Sequence, residues 1–258
     1  MKYGKCRICG AIGKLSFEHI PPEAAFNNKS VRLLEGIDAI TKNINGTKYS
    51  RISQKGFGNY TLCERCNNNT GAWYGNDFVN WCYQGMDLLR LTNGNPHLIY
   101  IHYLCPLKII KQIITMFFSI NGDRFCENNQ ELVGFVLNRK RKYLNEKYRV
   151  YTYFNYEGGT RSTGIMGKFD INKSNLLIAS KPIIMSEFSF RPYGYVLTID
   201  SDIPDRRLFD ITYFSNYDYD DFRVMSMDMK ALPTHTVYAG DYREMDEIVK
   251  QSKENDII

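Results

Sequence analysis

The sequence predicts an α+β fold in which a small N-terminal module stapled by paired cysteines precedes a domain of helices and an antiparallel sheet. Three observations support this prediction. Two Cys-x-x-Cys pairs lie in the first third of the chain, and a broad apolar helical face follows Pro106. Beyond that helix, short segments rich in aromatic and β-branched residues alternate with turn formers, a pattern typical of antiparallel strands.

Composition limits the class of protein. The chain has 258 residues, of which 43% are hydrophobic, enough to bury a substantial core. It lacks an apolar run of the roughly 20 residues that span a membrane, and its first residues lack the apolar core of a secretory signal. We therefore expect a cytoplasmic protein with no membrane partner. The net charge of +5 is compatible with a polyanionic partner but does not require one.

Turn formers at positions 92–96 divide the chain into predicted domains at 1–94 and 95–258. The first part is rich in Asn, Gly and Lys, whereas the second is more regular. Helical periodicity predicts helices over 73–91, from Pro106 to Phe118, over 129–144 and over 242–254. The predicted strands are 149–154, 164–169, 182–185, 193–198, 209–214 and 222–227, forming a mostly antiparallel sheet backed by the two middle helices.

The four paired cysteines predict a structural zinc site. An odd total of seven cysteines and two x₂ spacings favour reduced thiols that bind a metal over disulfides. Each pair places two sulfurs on one turn, and Cys6, Cys9, Cys63 and Cys66 would complete the tetrahedral shell of Zn²⁺. The acid-histidine pair Glu18-His19 is then left for chemistry. Cys82, Cys105 and Cys126 lie among apolar residues and are interpreted as small buried side chains.

Three segments together resemble an HNH endonuclease, over roughly the first third of the chain. HNH enzymes share a ββα-metal fold in which a hairpin carries an acid-histidine pair and the following helix supplies a further His or Asn. The resemblance implies that architecture here, with the cysteines as a zinc staple. The segments are Cys6-Arg7-Ile8-Cys9-Gly10, Glu18-His19-Ile20-Pro21-Pro22 and Cys63-Glu64-Arg65-Cys66-Asn67.

The resemblance also implies roles for individual residues. His19 would be the general base that deprotonates the attacking water. Glu18 and Asn67 would hold a catalytic Mg²⁺ or Mn²⁺ through oxygen donors. Asn59 is the nearest candidate for the central Asn of the family, which fixes the histidine loop. Asn43 or Asn45 could replace Asn59 in this position.

Each of these residues also has a structural interpretation. Glu18 could only orient the histidine ring, and Asn67 could only cap the first turn of a helix. His97, His102 and His235 lack a comparable setting and are interpreted as loop or sheet residues. The basic run 139–142 is predicted on a surface helix, where charge usually serves solvation, with nucleic-acid contact as the alternative.

The interval 27–58 exceeds what a short connection between two strands needs. It is predicted to be a mobile, substrate-facing loop whose cations grip backbone phosphates. Arg65 belongs to the same basic group but lies outside the loop. The cations within the loop are Lys29, Arg32, Lys42, Lys48, Arg51 and Lys55.

The sequence thus predicts a metal-dependent HNH endonuclease that hydrolyses nucleic-acid phosphodiester bonds. DNA is the expected substrate, and an RNA-specific enzyme would share every site residue. The second domain would supply regulation, specificity or contact with a protein partner or another copy of the chain. By analogy with compact nucleases joined to a second domain, the protein would act in antiphage defence. The alternative is a non-catalytic zinc module that binds nucleic acid or protein.

Overall fold

The computed structural model describes residues 2–33, 51–94, 99–157, 159–168 and 182–255. The predicted positions Lys42, Asn43, Asn45, Lys48 and His97 lie outside these ranges. So does Phe169, the last residue of one predicted strand. Within the described residues the chain mixes helices and strands, as the predicted α+β class requires.

The N-terminal part is built around a small antiparallel sheet. In the described chain its strands are β1 (Lys2–Lys5), β2 (Ile12–His19) and β5 (Gly58–Cys63), in the order β1-β2-β5. A separate hairpin pairs β3 (Val31–Leu33) with β4 (Arg51–Ser53). Helix α1 (Glu64–Thr70) follows β5 directly, and a π-helical turn (Gly71–Gly75) joins it to α2 (Asn76–Thr92). The predicted helix over 73–91 is therefore confirmed.

Two of the later helices match the prediction and one does not. Helix α3 (Pro106–Ile120) is almost entirely buried, as its broad apolar face predicts, and α6 (Met245–Asn255) is the predicted final helix. The short α4 (Arg124–Asn128) precedes α5 (Gln130–Leu137), which ends well before the predicted residue 144. The buried Lys111 ammonium explains this end, because Nζ donates hydrogen bonds to the carbonyls of Phe135 and Asn138 (2.5 and 2.8 Å). The basic run 139–142 consequently lies beyond the helix.

The C-terminal sheet is antiparallel. Its described strands, in their order across the sheet, are β11 (Phe209–Asp210), β7 (Tyr148–Phe154), β10 (Tyr193–Ile199), β9 (Ile183–Phe190) and β8 (Arg161–Lys168). Helix α3 lies against β8 and β9, and α5 packs on α3. The sheet strands agree with the predictions, except that β9 is longer than predicted and β11 much shorter.

Two strand predictions need correction. The predicted strand 209–214 stops at Asp210, whose Oδ1 accepts a hydrogen bond from the backbone N–H of Thr212 (2.7 Å) and turns the chain into a 3₁₀ helix (Thr212–Asn216). The predicted strand 222–227 exists as β12 (Arg223–Met227), but it pairs with β6 (Tyr100–Leu104) and not with the main sheet.

One hydrophobic core joins residues from both sides of the predicted boundary. Trp81 of α2 stacks on Tyr193 of β10 at a centroid separation of 4.6 Å and donates a hydrogen bond to the Tyr195 hydroxyl (3.1 Å). Gly85 makes this approach possible, since a Cβ atom there would lie 2.3 Å from the Tyr193 ring. The division into 1–94 and 95–258 stays a prediction, but the two parts share their interior.

Candidate functional site

The candidate site is carried by two strands and the helix that follows them. Strands β2 and β5 pair antiparallel, with Glu18 opposite Asn59 and His19 opposite Gly58. Gly58 is required by this close pairing, because a Cβ atom there would lie 2.2 Å from the backbone oxygen of Glu18. Strand β5 ends at Cys63, and α1 starts at the next residue. The pairing of β2 with β5 therefore brings the strand that carries the acid-histidine pair against the helix that carries Cys66.

The four paired cysteines converge, as predicted. Their sulfur atoms all lie within 4.8 Å of one another, and Cys9 Sγ is 3.8 Å from Cys63 Sγ. A tetrahedral ion with Zn–S bonds of about 2.3 Å requires sulfur separations of about 3.8 Å. The first turn is closed by a hydrogen bond from Gly10 N–H to the Cys6 carbonyl (2.9 Å), with Gly10 at a φ of 73°. The cluster is compatible with a zinc ion.

The protonation of these thiols shows why a cation fits among them. A hydrogen bond from the Cys66 thiol lowers the pKa of Cys6 to about 4. The same bond, together with burial, raises the pKa of Cys66, and burial raises the pKa of Cys63. Sulfurs this close cannot all lose their protons unless a positive charge compensates them. A bound divalent cation supplies that charge and keeps thiolates as ligands.

Three of the four predicted site residues line one cavity. Glu18, His19 and Asn67 surround a cleft of about 320 Å³. Phe17, residues 22–24 after β2, and residues from α1, the π-helical turn, α2 and α3 complete its wall. These further lining residues include Thr70, Gly71, Gly75, Asn76, Val79 and Gln112.

Glu18 is deeply buried, with 5% of its surface exposed. Its Oε2 accepts a hydrogen bond from the Ser119 hydroxyl of α3 (2.9 Å). Burial raises the pKa of Glu18 to about 8, so the carboxyl group keeps its proton at neutral pH when no cation is near. A cation in the cleft would compete with that proton. Sequence reasoning missed Ser119, because a serine about 100 residues away in a hydrophobic helix carries no pattern that indicates this contact.

Asn67 and His19 are both held by the hairpin. The Asn67 amide nitrogen donates to the Ser16 hydroxyl (3.1 Å) and to the Phe17 carbonyl (3.2 Å), beside a bulge in β2. This anchoring leaves Oδ1 as the amide atom that can contact a ligand. The His19 ring meets the edge of the Phe17 ring at a centroid distance of 5.0 Å.

Asn27, and not Asn59, fixes the loop after His19 among the described residues. Asn27 is buried, and its Nδ2 donates to the carbonyls of Pro21 and Phe57, while its Oδ1 accepts from the Phe57 N–H, each at 2.7 Å. Asn59 is exposed, and its Oδ1 accepts a hydrogen bond from the adjacent Tyr60 N–H (2.9 Å). Asn59 also does not line the cleft.

Sequence reasoning missed Asn27 because it precedes the expected position by a whole loop. One neighbouring glycine carries a signal of the contact. Gly56 has a φ of 76°, and a Cβ atom there would lie 2.3 Å from the Asn27 carbonyl oxygen. A positive φ so close to another backbone favours glycine and marks the place where the two segments meet.

The basic residues divide into two groups. Arg51, Lys55 and Arg65 are exposed on the N-terminal part, and the Lys55 ammonium lies 5.9 Å from the centre of the Phe17 ring. In the run 139–142, the Arg139 guanidinium lies 5.5 Å from the centre of the Tyr219 ring, and Lys142 forms an ion pair with Asp218 (3.0 Å). Arg139 and Lys142 are therefore engaged by the protein itself.

The remaining cysteines and histidines of the described ranges do not line the cleft. Cys82, Cys105 and Cys126 are buried, as predicted. His102 is buried against Trp81 at a centroid distance of 4.8 Å, and burial lowers its pKa to about 4. The His235 ring lies near two exposed carboxylates, Glu157 and Glu244, with ligand atoms within 4.8 Å of one another. We assign no role to the group of His235, Glu157 and Glu244.

Comparison with known proteins identifies no relative: no family model, curated protein or solved structure matches the chain. Among the helices of the described ranges, none has both the length and the apolar character needed to cross a bilayer.

Proposed function

We propose that the protein is a metal-dependent endonuclease of the HNH type that hydrolyses phosphodiester bonds, with DNA as the expected substrate. One observation carries the proposal. Glu18 and His19 at the end of β2 and Asn67 on α1 line a single cleft. The resemblance to HNH sequences predicts that these three residues lie together, and their convergence supports the proposal.

In the proposed mechanism His19 takes a proton from the attacking water through a ring nitrogen. Glu18 and Asn67 hold Mg²⁺ or Mn²⁺, for which carboxylate and amide oxygens are suitable donors. When bound, this cation would stabilise negative charge on the phosphate and the leaving oxygen. Asn27 keeps the backbone after His19 in place through its bonds to Pro21 and Phe57. The four cysteines hold a structural Zn²⁺.

A second candidate function is a non-catalytic zinc module that binds nucleic acid or protein. The burial of Glu18 and its bond to Ser119 favour this alternative, because both would suit a purely structural carboxyl group. His19 argues against it, since a complete four-cysteine shell has no need of a histidine in an adjoining cleft. We extend the proposal, by analogy only, to antiphage defence, with the sheet part controlling access or binding a partner.

A cleavage assay tests the proposal. Purified protein would be incubated with plasmid DNA and with RNA, in Mg²⁺, Mn²⁺ or EDTA. We expect divalent-dependent cleavage that falls at least about 10²-fold in His19→Ala, because the general base is lost. His235→Gln is the matched control, since His235 lies outside the cleft, and it should cleave normally. Equal cleavage by a well-folded His19→Ala protein would reject the mechanism, and binding without cleavage would favour the zinc module.

A further inference from the structure

Helix α3 contributes two polar side chains to the neighbourhood of Glu18. Positions 112 and 119 are seven residues apart, which is about two turns, so both side chains project from the same face of the helix. Ser119 donates a hydrogen bond to Glu18, and Gln112 lines the cleft with Glu18, His19 and Asn67. Both are almost fully buried, with 2% and 3% of their surfaces exposed for Ser119 and Gln112.

The Gln112 side-chain oxygen is buried and has no hydrogen-bond donor among the described residues. Neighbouring polar side chains of α3 do have partners. The Thr115 hydroxyl donates to the Lys111 carbonyl (2.9 Å), and Lys111 itself donates to two carbonyls. A buried acceptor without a donor is unfavourable, and native proteins rarely keep one unless a ligand or water satisfies it. Gln112 is therefore a candidate for contact with something that enters the cleft.

The chemistry of the cleft identifies the ligand class. The residues that line the cleft with Gln112 include several oxygen donors: the Glu18 carboxyl group, the Asn67 amide and the Glu23 carboxylate. An amide oxygen cannot donate a proton, so it can only accept a hydrogen bond or ligate a cation. Carboxylate and amide oxygens together suit Mg²⁺ or Mn²⁺, which usually keep several bound waters.

We propose that Gln112 is part of the divalent-cation site, where its side-chain oxygen contacts the cation or a water bound to it. This inference rests on the proposed function and deepens it. The cation site then draws on both sides of the predicted boundary, because Gln112 and Ser119 belong to the region after residue 94. Residues 1–94 would supply the general base and two cation ligands, and α3 would supply a further contact and the hydrogen bond that positions Glu18.

The test measures Mn²⁺ binding to the full-length, zinc-loaded protein by electron paramagnetic resonance. Gln112→Leu keeps the approximate volume of the side chain but removes the oxygen. We expect its Kd for Mn²⁺ to rise about tenfold, the lower end of the effect usual for residues that support metal ligands. Its melting temperature without Mn²⁺ should be unchanged or higher, since an unsatisfied acceptor is replaced by an apolar group. Gln112→Glu retains an oxygen and should bind Mn²⁺ at least as tightly as the parent.

Thr115→Val is the matched control: Thr115 is a buried polar residue of the same helix that is not part of the cleft wall, so its replacement should leave the Kd unchanged. Equal Mn²⁺ affinity in the parent and Gln112→Leu would overturn the role of Gln112 while leaving the proposed function intact. An equal loss of affinity in the Leu and Glu variants would also overturn it. If the parent neither binds Mn²⁺ nor cleaves nucleic acid, both the proposed function and this inference fail.

Discussion

The four-cysteine cluster and the Glu18 cleft share a hairpin and a helix, yet they are assembled in different ways. Cys6 and Cys9 lie in the turn between β1 and β2, whereas Cys63 ends β5 and Cys66 lies in the first turn of α1, and the pairing of β2 with β5 brings the two pairs together. The cleft starts from the same strands but is completed by α2 and α3, which follow later in the chain. The cluster is thus a local structure, whereas the cleft depends on the packing of the whole protein.

Contacts at the end of α3 link the cysteine cluster to the cleft. Arg7, inside the first cysteine turn, donates a hydrogen bond to the Ser119 carbonyl (2.6 Å), and its guanidinium lies 3.4 Å from the Asp123 carboxylate. The hydroxyl of the same Ser119 contacts Glu18. The cysteine cluster therefore positions the end of α3, and α3 in turn positions the carboxyl group in the cleft. Loss of the cluster should damage the cleft, but changes in the cleft should leave the cluster intact.

The largest expected effect follows from removal of the metal ligands. Cys6→Ser combined with Cys63→Ser should eliminate the roughly one Zn per chain that elemental analysis would find in the parent protein. Because zinc binding contributes directly to the stability of such folds, the melting temperature should fall by at least about 10 °C. Cleavage should be lost as well, since the hairpin and α1 would separate.

Cys126→Ser is the control for that experiment, because Cys126 is buried but lies outside the cluster. It should retain zinc. Full retention of zinc by the Cys6/Cys63 double variant would show that the four cysteines do not form the site.

A smaller effect should separate Asn27 from Asn59. Asn27→Ala removes hydrogen bonds to the Pro21 carbonyl and to the Phe57 carbonyl and N–H, although the Phe57 carbonyl keeps its bond from the Ile20 N–H. The free energy of unfolding, measured with urea, should fall by about 3 kcal/mol, at roughly 1 kcal/mol for each lost bond. Asn59→Ala should cost less than about 0.5 kcal/mol, because this side chain is exposed. Similar costs for the two variants would contradict the assignment of the loop contact to Asn27.

The comparison also explains which parts of the molecule could be predicted from the sequence. Paired cysteines and an acid-histidine dipeptide leave short-range spacing signals, so the four-cysteine cluster was expected and is present. Helix α3 has a long apolar pattern with helical spacing, and it lies where predicted. The strands 149–154 and 193–198 were recognisable because aromatic and β-branched residues fill both faces of a buried strand.

The errors arise where single side-chain contacts, most of them with distant residues, decide local structure. Helix α5 ends early because Lys111, on another helix, binds its last carbonyls. The strand at Phe209 ends because one Asp side chain bonds to the backbone two residues later. Asn27, Gln112 and Ser119 were missed for the same reason, since their roles depend on tertiary contacts that leave no spacing pattern in the sequence.

The smallest expected effect concerns how nucleic acid reaches the cleft, and it can be measured as a salt dependence. Arg51 and Lys55 are exposed, and Lys55 lies beside Phe17, which contacts His19. If both cations neutralise phosphates, Arg51→Glu combined with Lys55→Glu should flatten the slope of log K against log salt concentration by about 2, since each contact contributes about 0.9. Binding would be measured by fluorescence anisotropy in EDTA with the His19→Ala protein, so that no cleavage occurs.

The matched control for the salt measurement is Lys140→Glu combined with Lys142→Glu. This variant makes the same change of charge in the segment after α5. Lys142 already pairs with Asp218, so it is less available to phosphates. The Lys140/Lys142 double variant should therefore change the salt slope little. If the slope instead follows Lys140 and Lys142 and ignores Arg51 and Lys55, nucleic acid binds along the segment after α5. Arg51 and Lys55 would then serve a purpose other than holding the phosphate backbone.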